Sequence, residues 1–250
     1  MLYSPGAGRW TMTERGARHV SRRPHSFQVG PSALHWEGDA LVIDIDEWAQ
    51  PLPRRVRGRV VVHPESRCSE VVTLDAAGRH RWGPIAPSAR VTVDLPQPGL
   101  RWSGPGYLDS NEGDEPVTEA FVAWDWMRAR RADGSSVVVY DVLPRAPQGQ
   151  KTSRRLLSRH FGLDGQAREL AAPERQALPS TGWRIDRQVR SEAPVKVLRT
   201  LEDTPFYARS IVSCELEGET LHAMHETLDV TRFGKPWVQA LLPWRMPRRG

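Results

Sequence analysis

The densest group of chemically capable side chains is Gly104-Pro105-Gly106-Tyr107-Leu108-Asp109-Ser110-Asn111-Glu112-Gly113-Asp114-Glu115-Pro116. In an extended chain, residues two apart face the same side, so Tyr107, Asp109 and Asn111 project together. His80 and Trp82 have the same spacing in Arg79-His80-Arg81-Trp82. Trp102 lies just before the acid, and Trp124 and Trp126 share a face just after it. An acid, a phenol, an imidazole and several indoles are thereby placed to converge. A carboxylic acid in apolar surroundings keeps its proton near neutral pH and can donate it. Aromatic faces stabilise a nearby cation by about 0.5–2 kcal/mol each. A proton donor lined by indoles therefore suits chemistry that passes through a carbocation, with a His or Tyr to orient the acid or hold a water. The same residues also fit a plainer arrangement, in which Asp109–Pro116 is a solvated acidic turn and the Trp residues are core. Spacing leaves both open.

Other chemistries fit the spacing less well. Asp109-x-Asn111-x-Gly113 is similar to a calcium loop, but its glycine falls at the fifth position rather than the sixth, and the twelfth is Ala120 rather than Glu. His222-Ala-Met-His225-Glu226 matches neither zinc-protease pattern, and in a strand its two imidazoles face opposite sides. No metal ligand set is read from the sequence. There is no GxSxG elbow, no GxGxxG turn and no Walker loop, so the expected mechanism needs no cofactor. The basic groups (Arg22-Arg23, Arg54-Arg55 with Arg57 and Arg59, Arg128 with Arg130-Arg131, Arg154-Arg155, and Arg245 with Arg248-Arg249) are scattered among acids, and no nucleic-acid motif accompanies them. They read as solvated surface. Attraction to an anionic membrane leaflet, at about 1 kcal/mol per basic residue near the surface, is the second reading.

The elements that must position these groups are strands. The 250 residues contain 21 Pro and 20 Gly, which favours turns over long helices, and 39% hydrophobic residues with 26% charged, which permits a packed core. Ten Trp outnumber five Phe and four Tyr, and the formal charge is +5. Short apolar runs predict strands at Ala40–Asp46, Val56–His63, Glu70–Leu74, Val91–Leu95, Ala120–Met127, Ser136–Leu143, Val195–Leu201, Arg209–Leu216 and Glu219–Val230. Arg131–Gly134 and Glu217–Glu219 read as hairpin turns. Helices are expected only at Lys151–His160 and Lys235–Trp244, where Pro236 suits an early helical position. The whole is an all-β chain of sandwich or barrel type. The Gly/Pro-rich stretch before Pro116 suggests a division into residues 1–115 and 116–250. No apolar run reaches transmembrane length and no signal-peptide core opens the chain. With two distant cysteines, Cys68 and Cys214, the default compartment is a reducing cytoplasm. Trp237, Leu241, Leu242 and Trp244 beside the basic tail suit either an interfacial contact or, preferably, a helix capping a barrel mouth.

At these residues the sequence resembles the carotenoid 1,2-hydratases, also called hydroxyneurosporene synthases. The similarity runs through Pro5–Gly16 (PGAGRWTMTERG), Ala40–Val60, Leu74–Pro87 (LDAAGRHRWGPIAP), Arg101–Pro116 (RWSGPGYLDSNEGDEP) and Phe121–Trp126 (FVAWDW). The resemblance implies two lipocalin-like antiparallel β-barrel domains, the first of them incomplete, because family members carry a further N-terminal segment. It implies cofactor-independent addition of water to the terminal C1–C2 double bond of an acyclic carotene such as neurosporene or lycopene. Carried over by motif, Asp109 is the expected proton donor, with Tyr107, His80 and Trp82 around it. Trp102, Trp124, Trp126 and Asn111 extend the set on spacing, as substrate contacts. The implied partners are the carotene and water, with no nucleic acid, in the cytoplasm or peripheral to the inner or intracytoplasmic membrane. The alternative is a non-catalytic lipocalin-like carrier of a polyene or other long apolar ligand; a related isomerase or cyclase is a weaker third.

Overall fold

The computed structural model describes residues 8–11, 14–49, 52–146, 153–245 and 248–249. The chain divides into two units that interleave in sequence rather than meeting at one cut. One takes in the described residues up to Glu65, then Ala89–Leu108 and the chain from Gln239; the other is Ser66–Ser88 with Asp109–Val238.

In the first unit, β1 (Val20–Arg23), β2 (Ser26–Val29), β3 (Ser32–Glu37), β4 (Ala40–Ala49) and β5 (Arg54–Pro64) follow one another as antiparallel neighbours. The later chain adds to it the Ala89–Gln97 part of the long β7 (His80–Gln97) and the Leu100–Leu108 part of β8 (Leu100–Gly113); the rest of both strands, and β6 (Val72–Thr73), belong to the second unit. The order is β1-β2-β3-β4-β5-β7-β6, with β8 paired to β7. Leu41, Val42, Val56, Val62, Val93 and Leu95 supply its buried side chains. Gly58 marks a register shift between β5 and β7. Its φ is +145°, and a β-carbon there would lie 2.2 Å from the Asp94 carbonyl oxygen, so only glycine lets the two strands approach at the bulge.

The second unit is built on a seven-stranded antiparallel sheet. Its strands are β9 (Phe121–Arg130), β10 (Ser136–Pro144), β11 (Arg155–Phe161), β12 (Ala167–Glu169), β15 (Lys196–Asp203), β16 (Tyr207–Leu216) and β17 (Glu219–Asp229); the hairpin β13 (Arg175–Ala177) with β14 (Gln188–Arg190) stands apart. The sheet order is β12-β11-β10-β9-β17-β16-β15. β16 alternates strictly, burying Ala208, Ser210, Val212, Cys214 and Leu216. Every residue of β10 from Ser136 to Val142 is buried, because both faces of that strand are covered, and this explains its continuous apolar run. Short helices α1 (Val117–Ala120), α2 (Val230–Phe233) and α3 (Pro236–Arg245) complete the description. None is long and apolar enough to cross a membrane.

The strand expectations agree with the structure, as do the two hairpin turns and the helix opening at Pro236. The helix expected at Lys151–His160 does not form; residues 151–152 lie outside the described residues, and Arg155–Phe161 is a strand. The apolar strand β10 has unsatisfied backbone groups along one edge, and β11 satisfies them by pairing Ser136–Val142 with Phe161–Arg155. That tertiary demand overrides the helical propensity of Arg and Leu. Cys68 and Cys214 are unpaired thiols.

One face of the seven-stranded sheet carries the core: Met127, Ala129, Val137, Val139, Val212, Leu221 and Ala223, with Leu170, Leu178 and Val189 packed on it. Buried polar groups are set into this face. Asp141 accepts from Arg190 Nε at 2.9 Å and pairs with Arg154 at 3.3 Å. Asp125 accepts from Thr227 Oγ1 at 2.7 Å and from the Gln188 amide at 3.1 Å. His225 Nε2 donates to the Gln188 carbonyl at 2.8 Å. Burial pushes the His225 imidazole down to about 4, so it is neutral in the folded protein. Below the ordinary pKa the unfolded chain binds this proton and the folded chain does not, so His225 removes stability as pH falls through about 6.5 towards 4. Between pH 7.5 and 5 it is expected to cost about 2 kcal/mol. Urea unfolding at the two pH values measures this, and His225→Gln should flatten the dependence; an unchanged slope in that variant would refute the assignment.

Candidate active site

Trp82, on β7, is fully buried. An indole N–H is a donor with no other hydrogen-bonding role, and buried it must find an acceptor. It donates to Asp109 Oδ2 on β8 at 2.8 Å. The two residues expected from sequence to form the heart of the site are therefore directly bonded. The face of the seven-stranded sheet opposite its core supplies the surroundings. The Trp82 ring stands edge-on to Tyr140 and to Phe161, each at 6.3 Å between centroids. Tyr140 is edge-on to Trp124 at 6.3 Å, Trp124 to Phe121 at 5.8 Å, and Phe121 to His80 at 4.8 Å. Since His80 and Trp82 are two apart on β7, these contacts close a ring of aromatic groups that begins and ends on one strand.

Pairing across the sheet adds polar members. Trp126 lies opposite Tyr140 on β10 and opposite Glu226 on β17, and Glu226 lies opposite Arg209 on β16. Directly opposed residues share a face, so Tyr140, Trp126, Glu226 and Arg209 form a row across four strands. Arg209 pairs with Glu226 at 2.7 Å. Burial pushes the Glu226 carboxyl up, Arg209 and a hydrogen bond with Tyr207 pull it back, and the charge of Asp109 pushes it up again. Burial likewise holds Tyr140 well above the ordinary phenol range, helped by the charges of Asp109 and Glu226. Two carboxyl groups thus act on one another through one aromatic surface.

Of the other residues expected from sequence, His80 is buried and turned towards Glu115, at 3.8 Å. Trp124 and Trp126 are on the aromatic face, as their spacing required. Tyr107 is half-buried, two residues before Asp109 on β8. Asn111 and Glu112 are exposed, and Glu112 faces Arg81 at 3.6 Å. Trp102 is 50% exposed and belongs to the first unit. Tyr140, Phe161, Phe121 and Glu226 were not legible as site residues. Each sits in a run that reads as ordinary strand, and only the pairing of β9 with β10 and β17 brings them together.

The carotenoid hydratase CrtC family model matches residues 1–250. An acyclic carotenoid 1,2-hydratase of Rubrivivax gelatinosus is 50% identical over 99% of this chain and 60% of its own length. One of Thiocapsa roseopersicina is 49% identical over 100% of this chain and 61% of its own, and one of Cereibacter sphaeroides is 38% identical over 99% and 87%. The chain thus spans about three-fifths of the length of the first two relatives. Among solved structures, an AttH protein of Nitrosomonas europaea superimposes with a TM-score of 0.57 at 11% identity, over 86% of this chain and 73% of its own, a likeness of fold alone. By the family match across its whole sequence and by its identity to these relatives, the chain belongs to the carotenoid hydratase family.

Proposed function

We propose that this protein adds water to the terminal C1–C2 double bond of an acyclic carotene such as neurosporene or lycopene, giving a 1-hydroxy carotenoid. Family membership supports the substrate class, and the bond from the buried Trp82 indole to Asp109 is the observation that carries the mechanism. The indole fixes one carboxyl oxygen, and with it the orientation of the acid that is to give the proton. Transfer of that proton to C2 breaks the π bond and leaves a tertiary cation at C1. The faces of Trp124, Tyr140 and their neighbours offer it a quadrupole and no nucleophile, so only a held water captures it. Two carboxyl groups that repel one another's charge share a single proton most readily. The scheme gives Asp109 the role of donor and Glu226 that of acceptor; burial favours the protonated form of Glu226, and Arg209 opposes this by holding its charge. Glu226 then accepts the proton released when water adds at C1, and the pair is reset by proton exchange with solvent. Binding of the chain end comes from apolar burial at about 25 cal/mol per Å², and no cofactor enters any step.

Expression in a lycopene-accumulating bacterium, followed by chromatography with mass detection, tests this directly. A product heavier by one water is expected. Bound but unaltered pigment would point to a carrier, and an altered pigment of equal mass to an isomerase. Asp109→Asn is expected to lower turnover by roughly 10²–10⁴-fold, the usual contribution of a general acid, with the fold intact by circular dichroism. Trp82→Phe keeps most of the ring and deletes the donor. It should cost about 10-fold or more, since a neutral hydrogen bond of about 0.5–1.5 kcal/mol becomes a charge-assisted one of about 1.5–3 kcal/mol as the acid gives up its proton. Glu226→Gln should suppress hydrated product while still allowing double-bond isomers, because the cation forms but its capture is slowed; undiminished hydration would remove Glu226 from the scheme.

A further inference from the structure

Three buried polar atoms in the second unit lack hydrogen-bond partners and face one another: Asp75 Oδ2, His80 Nε2 and Glu115 Oε1. Their three side chains are the one potential ligand set among the described residues, a ligand atom of each lying within 4.8 Å of the others. His80 is 4% exposed and Asp75 7%. Buried polar atoms in folded proteins are paired in at least about nine cases in ten, and each left alone costs about 1–3 kcal/mol. Three orphans converging on one point are not three separate losses; they describe the wall of a site.

The remaining atoms of these side chains are committed to holding them in place. Asp75 Oδ1 accepts the Arg79 amide at 2.9 Å. Glu115 Oε2 is ion-paired with the Arg79 guanidinium at 3.1 Å. Phe121 stands edge-on to the His80 ring, and Gly113 leaves room for that ring, since a β-carbon there would come within 2.8 Å of Nδ1. Backbone bonds from Leu74 to His80 at 2.8 Å and from Asp114 to Arg79 at 2.9 Å tie the two contributing segments together. Such outer bonds orient metal ligands in known sites. The inward atoms are two carboxylate oxygens and one imidazole nitrogen, which is a donor set for a divalent cation of the zinc or manganese class.

We propose that Asp75, His80 and Glu115 bind one divalent transition-metal cation, which pins the Leu74–His80 turn to the chain leaving β8. Bonds of about 2.0–2.2 Å place ligand atoms about 3–3.5 Å apart around a tetrahedral ion. His80 Nε2 and Glu115 Oε1 are already 3.8 Å apart, and a small carboxylate rotation completes the set. The site stands beside the proposed reaction centre and outside its chemistry: the cation positions His80 and the strand that carries Trp82. The inference does not depend on a carotene being the substrate.

The full chain, stripped with a chelator, should be titrated with Co²⁺ as a visible probe and then with Zn²⁺. One saturable equivalent is expected, with d–d absorption of a nitrogen–oxygen ligand set that Zn²⁺ displaces, and with a thermal midpoint that rises with metal concentration. Asp75→Asn and Glu115→Gln should each weaken binding by roughly 10–100-fold or more, while Glu112→Gln, an exposed acid near the end of β8, should leave it unchanged. Failure of the folded chain to take up either metal would overturn the proposal, as would uptake undiminished in both variants. If those variants fail to fold, metal-edge diffraction from the unaltered chain decides: an anomalous peak between the three atoms supports the cation, and a water there without one refutes it.

Discussion

The hydrogen bond from Trp82 to Asp109 constrains everything around it. A fully buried indole must satisfy its one donor, and only a group on the strand beside it is near enough. This fixes the acid against β7 by its Oδ2 oxygen. It also commits the Trp82 ring to a place among the aromatic groups, edge-on to Tyr140 and Phe161. The acid is therefore placed by packing as much as by hydrogen bonding, and the large apolar area that holds Trp82 also holds Asp109.

The seven-stranded sheet makes this possible by sorting its side chains. On β9 the sequence Trp124-Asp125-Trp126-Met127 sends the indoles to one face, and Asp125 and Met127 to the other. On β17 the same alternation sends Glu226 with the indoles and His225 with the core. The buried carboxylates Asp125 and Asp141 are thus kept from the aromatic face, where, in the proposed scheme, an uncommitted base or nucleophile would trap or deprotonate a carbocation. Glu226 alone of the carboxyl groups on these strands crosses to it, with Arg209 opposite to hold its charge.

Much of this was readable beforehand. Strand positions follow from short Val, Ile and Leu runs, and the hairpins from Asp133-Gly134 and Glu217-Gly218. The period of two placed Trp124 with Trp126 and His80 with Trp82. What was not readable depends on which strands pair. Nothing in Ser136–Leu143 marks Tyr140 as a neighbour of Trp82, because that contact joins residues far apart in the chain. The helical reading of Lys151–His160 failed for the same reason: Leu156 and Leu157 look helical in isolation, but the edge of β10 needed a partner. Glu115 stood in the acidic stretch around Asp109 and Asp75 in the segment before His80, but neither was read as a ligand, because acidic residues are common in turns and solvent is the ordinary expectation there.

Register links the fold to the chemistry. A slip of one residue between β9 and its neighbours would exchange the two faces of the strand. Asp125 would then enter the aromatic surface, and Trp124 and Trp126 would press into a core built around Met127 and Ala129. The buried network resists this, because Asp125 is held by Thr227 from the strand beside it and by the Gln188 amide from the hairpin above. A bond from β17 and a bond from β14 can be made together in one register only. The polar groups on the core face, though remote from the proposed reaction, thus act as its gauge: His225 among them costs stability as the pH falls, and together they hold two indoles and a carboxylate on the opposite face.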